Sequence, residues 1–225
     1  IKKLGVSGIT ATAIVEPDTL EGSPTKASEK VTSKISKTAR QYNSVYTAEY
    51  LNRLAFPIGG LGSGMYCLEG NGAISHMSVR NKPEVFHEPG MFAALSIKQF
   101  PSSTKILEGP APDWKKFGQP DSGNGSGGTI FGLPRFERCN FLPRFPFATI
   151  NLEDDELPIQ TQITGWSPFI PGDADNSSLP VGILEYKIVN KHSQVLDFVF
   201  SYSSKNFLRV DNPKGKIRSI SNGFI

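Results

Sequence analysis

The most informative segment of this chain reads Phe56-Pro57-Ile58-Gly59-Gly60-Leu61-Gly62-Ser63-Gly64-Met65. Four of its residues are glycines, and all four lie within six consecutive positions. A helix is excluded because each interior glycine costs about 0.5–1 kcal/mol relative to alanine. The segment is predicted to bend, to bulge or to let another part of the chain approach closely. We expect at least one of Gly60, Gly62 and Gly64 to have a positive φ or to lie at a bulge.

These glycines do not form a phosphate-binding motif. A P-loop needs a Lys followed by Ser or Thr after its last glycine, and no such pair follows Gly64. The spacing Gly60-x-Gly62-x-Gly64 differs from the dinucleotide-binding fingerprint, and no helical pattern follows whose N-terminus could bind a pyrophosphate. We therefore expect no nucleotide here and no cofactor elsewhere in the chain.

Composition and spacing predict a fold built from strands. The 225 residues include 22 Gly, 17 Pro and 15 Phe, a composition that favours strands and turns over helices. Residues 65–68 and 73–79 are predicted to form a hairpin, because the Asn-Gly of its turn, Glu69-Gly70-Asn71-Gly72, adopts positive φ at low cost. Further strands are predicted at 92–99, 135–141, 148–152, 158–165, 181–190, 194–203 and 217–220. The pattern indicates an all-β fold, an antiparallel two-sheet β-sandwich.

The chain divides into two unequal regions. Residues 1–45 contain much Ser, Thr and Lys with few apolar anchors, and are predicted to be an N-terminal arm or linker-like segment. Residues 46–225 are predicted to form the β-sandwich, with a short helix at 48–53 for which Thr47 would be the N-cap. Prolines and glycines concentrate at 109–129, where a long irregular loop is expected.

Charge, hydropathy and cysteine content exclude several classes of protein. A net charge of +3 is too small to predict a nucleic-acid partner. No apolar run reaches the roughly 18 residues of a membrane-spanning helix, so we expect no membrane span. Cys67 and Cys139 are too few for a disulfide framework. They are expected to be small buried residues, or to form one bridge if their strands meet.

Four segments of the chain resemble one known family. They are Thr47-Ala48-Glu49-Tyr50-Leu51-Asn52-Arg53-Leu54-Ala55 leading into the glycine segment, Gly132-Leu133-Pro134-Arg135-Phe136 with Arg144-Phe145-Pro146-Phe147-Ala148, Gly165-Trp166-Ser167-Pro168-Phe169-Ile170-Pro171-Gly172-Asp173, and Asn176-Ser177-Ser178-Leu179-Pro180-Val181. In this order, over residues 47–206, they are similar to the N-terminal domain of glycoside hydrolase family 116. That family contains the non-lysosomal glucosylceramidase and bacterial β-glucosidases.

The resemblance implies a parent protein with two domains. Family members look like an N-terminal β-sandwich followed by a catalytic (α/α)6 barrel, which carries a Glu nucleophile and an Asp acid/base and acts on a β-linked glucoside. No helical repeats occur in these residues, so we expect the barrel to lie outside them and the sandwich to be incomplete. No catalytic residue of the family can be assigned to a position here.

The residues themselves show no convincing catalytic or metal site. Glycoside hydrolysis needs two carboxylates about 5–5.5 Å apart in retaining enzymes and wider apart in inverting ones. The run 153–156 (Glu-Asp-Asp-Glu) is expected to be solvated with ordinary pKa values. Asp173 and Asp175 could bind Ca²⁺ with Asn176, yet the turn glycine and closing Glu of an EF-hand are missing, which favours a polar turn. We predict no metal site.

Two loops remain as candidates for contact with substrate or with a partner domain. The first, 166–176, combines Trp166 with polar Asp173, Asp175 and Asn176. Its aromatic ring could stack on a sugar or pack on a partner; alternatively Trp166 is a core residue and the acids cap turns. The second loop contains Arg80 and Asn81, for which the alternative is a solvated turn.

Two functions from different classes follow. In the first, the chain is the non-catalytic sandwich of a β-glucosidase-type hydrolase, supports the catalytic barrel and shapes its substrate entrance; it would expose an apolar patch where the barrel docks. In the second, it is a free-standing carbohydrate-binding or structural module, and a sugar-binding module would carry a row of exposed aromatic residues on one sheet.

Overall fold

The computed structural model describes residues 40–100, 102–117, 130–207, 216, 218–221 and 223–224. Most of the arm expected at 1–45, and residues 118–129 of the expected loop, lie outside these ranges. The described chain forms twelve strands: β1 (Ala55–Ile58), β2 (Met65–Glu69), β3 (Ile74–Ser78), β4 (Phe92–Ile97), β5 (Lys105–Ile106), β6 (Arg138–Arg144), β7 (Phe147–Glu153), β8 (Ile159–Trp166), β9 (Ile183–Asn190), β10 (Phe198–Ser203), β11 (Ser219–Ile220) and β12 (Gly223–Phe224). The α-helices are α1 (Asp113–Phe117) and α2 (Ala174–Ser177), with one 3-10 helix at Ala48–Leu51.

The strands form antiparallel sheets, which confirms the predicted all-β sandwich. The largest sheet has the order β6-β7-β8-β9. Two three-stranded sheets have the orders β1-β2-β3 and β10-β4-β5, and β11 pairs with β12. One hydrophobic cluster joins the four-stranded sheet to β1, β2 and β4. The core therefore lies between the layers, as in two-sheet packing.

The alternation of buried and partly exposed side chains along β7 and β8 explains how this core forms. Ala148, Ile150 and Leu152 on β7 are fully buried, while the residues between them are partly exposed. On β8, Ile159 and Ile163 follow the same period of two. Successive side chains of a strand point to opposite faces, so one face of each strand enters the core. Each fully buried aliphatic side chain of this size stabilises the fold by about 1.5–3 kcal/mol.

The predicted hairpin at 65–79 is confirmed. Strand β2 pairs with β3 in antiparallel register, with an irregularity between Met65 and Cys67. Gly72 has a φ of +92°, and the Oδ1 atom of Asn71 accepts a hydrogen bond from the N–H of Ala73 at 3.1 Å. The turn residues thus supply the positive φ and the side-chain bond that such a turn needs. Both cysteines are free thiols, and only Cys67 is fully buried.

Two local predictions differ in part from the structure. The short helix expected at 48–53 is present as a 3-10 helix of four residues with Thr47 at its N-cap position, but the Thr47 side chain makes no capping hydrogen bond. Ala48 has a φ of +49°, so the chain turns too tightly there for an α-helix. The region 109–129, expected to be irregular throughout, contains α1, and none of the described helices is longer than five residues.

Candidate functional site

The glycine segment is a tight loop at one end of the sandwich, between β1 and β2. Gly62 and Gly64 have φ values of +73° and +107°, which confirms the expected positive φ. A Cβ atom on Gly60 would lie 2.2 Å from the carbonyl oxygen of Leu179. Only glycine allows that second segment to approach so closely.

The glycine loop is joined by hydrogen bonds to the segment 167–179. The N–H of Leu61 donates to the carbonyl of Ser177 at 2.9 Å, and the N–H of Gly59 donates to Ser167 Oγ at 3.0 Å. Ser177 Oγ also accepts from the N–H of Ile170 at 2.9 Å. These bonds make the two loops one unit, and a mainly apolar cavity of about 210 Å³ lies between them and Phe145.

The glycine loop, the turn between β6 and β7, the start of β7 and the segment 167–179 expose five large apolar side chains, of which Leu61 and Phe145 line this cavity. We call the five the apolar end face: Leu61, Phe145, Phe147, Ile170 and Leu179. Their exposed fractions range from 45% for Phe147 to 61% for Phe145. Phe145 packs edge-on against Phe169 with ring centroids 4.9 Å apart, so the face is ordered. Exposed apolar side chains that are grouped mark an interaction site more often than isolated exposed residues do.

Trp166 lies at the margin of the apolar end face. It is the last residue of β8 and pairs in register with Phe147 on β7. The two rings are 5.9 Å apart between centroids, and Trp166 is half-buried. The indole therefore supports an exposed phenyl ring and is not a fully buried core residue.

The polar residues of loop 166–176 are used mainly to fold the loop. Asp173 caps α2: its Oδ1 accepts from the N–H of Asn176 at 3.0 Å, and its Oδ2 accepts from Asn176 Nδ2 at 2.5 Å. These bonds hold the pKa of Asp173 below its usual range. Asp175 and Asn176 are exposed. In the part of the chain that the structure describes, no three His, Cys, Asp or Glu residues are placed to hold a metal ion.

Arg80 and Asn81 form the tip of a tight turn rather than part of loop 166–176. Their φ values are +57° and +58°, and the N–H of Lys82 donates to the carbonyl of Val79 at 3.2 Å. Both tip residues are exposed. The turn starts beside the glycine loop, since a Cβ atom on Gly64 would lie 3.0 Å from the carbonyl oxygen of Ser78.

The structure also contains a buried ionic cluster that was not predicted from the sequence. Lys115 on α1 donates to both carboxylate oxygens of Glu69 at 2.7 Å and to Glu88 at 2.5 Å. Glu108 pairs with Arg135 at 3.2 Å, and both side chains are almost fully buried. Burial raises the pKa of Glu108 to about 7, although the charge of Arg135 acts in the opposite direction. No local pattern signals these pairs, because the members of each pair are 27 or more residues apart in the sequence.

The acidic run 153–156 was predicted to be solvated with ordinary pKa values, and this prediction is wrong for two members: Asp154 is buried, and the pKa of Asp155 is lowered. Asp154 is buried and pairs with Lys105 at 2.5 Å. Its neighbour Asp155 is exposed and pairs with Arg138, whose hydrogen bond holds the pKa of Asp155 below its usual range. Among the residues that the structure describes, each buried carboxyl group thus has a cationic partner, as buried charges require.

Comparison with known proteins agrees with this architecture. A family model described as beta-glucosidase 2, glycosyl-hydrolase family 116 N-term, matches residues 55–219. The match begins at the first residue of β1 and includes the whole apolar end face. A comparison with curated proteins found no significant match. None of the helices in the described ranges is long and apolar enough to cross a membrane.

Proposed function

Because this chain belongs to the family of glycoside hydrolase family 116 N-terminal domains, we propose that it is the non-catalytic β-sandwich of a β-glucosidase-type hydrolase and supports the catalytic domain. The catalytic partner, an (α/α)6 domain of the same polypeptide, supplies the nucleophile and the acid/base and binds the β-linked glucoside. The sandwich contributes a docking surface and the rim of the substrate entrance.

The apolar end face carries this proposal. It gathers five large apolar side chains at the end of the sandwich where the glycine loop and loop 166–176 meet. Interfaces draw most of their binding energy from aromatic anchors that become fully desolvated. Phe145 and Phe147 are such anchors, since each is about half exposed in this chain and each is backed by a second aromatic ring.

The polar residues beside the apolar end face suit the rim of an interface. Asp175 and Asn176 follow Ile170 along loop 166–176, and Arg80 and Asn81 project from the neighbouring turn. Polar side chains at the edge of an interface stay accessible to water and bind weakly on their own. In the complete enzyme they would face the substrate entrance, where hydrogen bonds to sugar hydroxyls are available.

A free-standing sugar-binding module is less well supported. A groove of about 640 Å³ near the 3-10 helix contains Tyr46 and Tyr50. However, the guanidinium of Arg40 lies 3.8 Å from the ring centroid of Tyr46 and occupies the ring face that a sugar would need. Trp114 is likewise covered by Arg53 at 4.7 Å and donates its N–H to the carbonyl of Asn52.

Charge substitution on the apolar end face tests the proposal. We expect Leu61→Asp and Phe145→Asp to leave the melting temperature of the 225-residue chain almost unchanged, because both side chains are exposed there. In the polypeptide that also carries the catalytic domain, the same changes should raise KM for an aryl β-glucoside and lower the melting temperature by several degrees, as expected for about 1–2 kcal/mol of lost docking.

Val195→Asp is the matched control for these variants. Val195 is 86% exposed and lies between β9 and β10, at the opposite end of the sandwich. The Val195→Asp variant should have the melting temperature of the wild type in both proteins, and the wild-type KM in the longer polypeptide. If Leu61→Asp and Phe145→Asp are no more harmful than this control in the longer polypeptide, the apolar end face is not a docking surface.

A further inference from the structure

Strand β10 is at the end of its sheet, with β4 on one side and no described strand on the other. We propose that a further β-strand of the same polypeptide, from outside residues 1–225, pairs with this edge and closes the hydrophobic core beside it. The added strand is an extended segment with an apolar residue at every second position. The inference rests on the proposed function only because that function places this chain in a longer polypeptide.

The backbone of β10 determines that its partner is a strand. The carbonyl of Asp197 accepts a hydrogen bond from the N–H of Lys98 at 2.8 Å, and this pair continues the register between β10 and β4. Bonded pairs alternate along an antiparallel ladder, so the β10 residues bonded to β4 are Val199, Ser201 and Ser203. The residues between them direct their N–H and carbonyl groups away from β4: Phe198, Phe200 and Tyr202. Another extended chain satisfies such a row of backbone groups.

The hydrophobic core is closed at β4 and open at β10. The core-facing residues of β4 are 2% exposed or less: Ala93, Leu95 and Ile97. Their register partners on β10 face the same core but are only partly buried: Tyr202, Phe200 and Phe198. A strand beside β10 would therefore remove large aromatic surfaces from water, which stabilises the fold.

The opposite sheet is open on the same side. Strand β9 is at the end of its sheet, and residues 191–197 join it to β10. Tyr186 on β9 packs against Phe200 on β10, with ring centroids 5.4 Å apart. Both residues are partly exposed. The gap in the core thus lies between the two end strands, and the side of the added strand that faces this gap needs apolar residues.

Strand β10 also lacks the features that protect an edge from pairing. Such features are charged residues, prolines, bulges and short strands. The other end strands of the three larger sheets carry one of them or lie beside a second segment: Pro57 in β1, two residues only in β5, Arg138, Pro143 and Arg144 in β6, Glu185 and Lys187 in β9, and for β3 the hydrogen bonds from Glu84 and Phe86. The sequence of β10, Phe-Val-Phe-Ser-Tyr-Ser, has no charge and no proline, and its register is regular.

An edge of this kind needs a cover that is always present. Unprotected edges that stay free pair with other chains and cause aggregation. A strand of the same polypeptide is present in a 1:1 ratio from folding onward and at a high effective concentration. A separate peptide would leave the edge free whenever it dissociated. For this reason we assign the cover to the same polypeptide.

Hydrogen exchange at single backbone amides tests this pairing, with mass spectrometry as the readout. In the 225-residue chain, the amides bonded to β4 should exchange slowly and the amides between them rapidly. In the polypeptide that also carries the catalytic domain, we expect the amides of Phe198, Phe200 and Tyr202 to exchange at least about 100-fold more slowly. The amides of Val199, Ser201 and Ser203 are the control on the same strand, because they should be slow in both proteins.

The oxidation rate of Tyr202 by hydroxyl radicals provides a second measurement. We expect this rate to fall several-fold in the longer polypeptide, because the added strand covers the ring. Tyr50 is the control of the same residue type. It is 40% exposed and lies on the 3-10 helix, next to Gly70 at the hairpin end of β2, so its rate should not change.

Four results would overturn or support the inference. Slow exchange at Phe198, Phe200 and Tyr202 in the longer polypeptide alone supports it. Fast exchange there in both proteins means that the edge is free and overturns it. Slow exchange already in the dilute 225-residue chain overturns it, because the cover is then a segment of this chain. Slow exchange that appears only at high protein concentration also overturns it, because the cover is then a second copy.

The docking role of the apolar end face is judged by other variants. Leu61→Asp and Phe145→Asp test the docking surface, whereas hydrogen exchange tests the edge of β10. Harmless variants together with slow exchange at β10 would reject the docking surface and leave the added strand in place. Harmful variants together with fast exchange would reject the added strand alone.

Discussion

Gly60 shows how a single missing side chain joins two loops. Its Cβ atom would lie 2.2 Å from the carbonyl oxygen of Leu179 and 2.8 Å from the carbonyl carbon, and backbone atoms cannot move aside cheaply. We expect Gly60→Ala to lower the free energy of unfolding by about 1–3 kcal/mol, as overpacking does. Chemical denaturation of the 225-residue chain measures this change.

Gly132→Ala is the control, because nothing lies within 4 Å of the position that its Cβ atom would occupy. It should change the stability by less than about 0.5 kcal/mol. Equal effects of the two substitutions would contradict the close approach of Leu179 to Gly60.

Glu108 should make the stability of the fold depend on pH. Burial raises the pKa of this carboxyl from 4.5 to about 7. The folded protein thus holds the proton more tightly than the unfolded chain. Its contribution to the free energy of unfolding is greatest below pH 4.5 and decreases as the pH rises to about 7, by at most about 3 kcal/mol. Urea unfolding at several pH values between 5 and 8 should show the decrease.

Glu108→Gln should flatten this profile, since the amide cannot ionise. Glu137→Gln is the control, because the Glu137 side chain is 45% exposed. This substitution should leave the pH dependence of the free energy of unfolding unchanged. If the free energy of unfolding of Glu108→Gln still decreases between pH 5 and 8, another group titrates in this pH range.

At the level of elements, α1 depends on one buried ammonium group. Lys115 binds Glu69 on β2 and Glu88 in the segment between β3 and β4, and only 5% of its side chain is exposed. Lys115→Met should cost about 3–5 kcal/mol, because it leaves a buried carboxylate without its cation. Thermal or chemical unfolding measures the loss.

The adjacent residue gives the matched control. Lys116 is on the same helix and pairs with Asp113, whose side chain is 84% exposed. Exposed ion pairs contribute about 0–1 kcal/mol, so Lys116→Met should be nearly neutral. Similar losses of stability in Lys115→Met and Lys116→Met would contradict a special role of the buried cluster.

The elements that sequence could predict are those with local signals. The hairpin β2–β3 follows from its Asn-Gly turn, and the positive φ at Gly62 and Gly64 follows from glycine density. Helix α1 had no such signal, because Trp114 and Lys115 attach it through partners 27 or more residues away. For the same reason Asp154 looked solvated from its acidic neighbours, although it binds Lys105 on another strand.

At the scale of the whole molecule, the candidate site was predictable only in part. The chemical character of loop 166–176 could be recognised from the sequence, and its docking role stays a prediction. That Asp173 would bind Asn176 in the same loop depends on the backbone geometry of α2. The apolar end face is assembled from residues 61, 145, 147, 170 and 179, which no periodic pattern connects. The exposure of Phe86 could likewise not be predicted, because no local pattern distinguishes this phenylalanine from a buried one.

The 225-residue chain alone should hydrolyse no glycoside. The buried carboxyl groups that the structure describes, Glu69, Glu108 and Asp154, are each paired with a lysine or arginine. A glycosidase needs one carboxylate as acid and another as nucleophile or base across a sugar-sized gap, and carboxylates held in ion pairs inside the fold cannot reach a substrate. Assay of the purified chain with an aryl β-glucoside should show no turnover. Turnover that disappears when a Glu or Asp of this chain is changed to its amide would place catalysis within the sandwich and overturn its assignment as a non-catalytic domain.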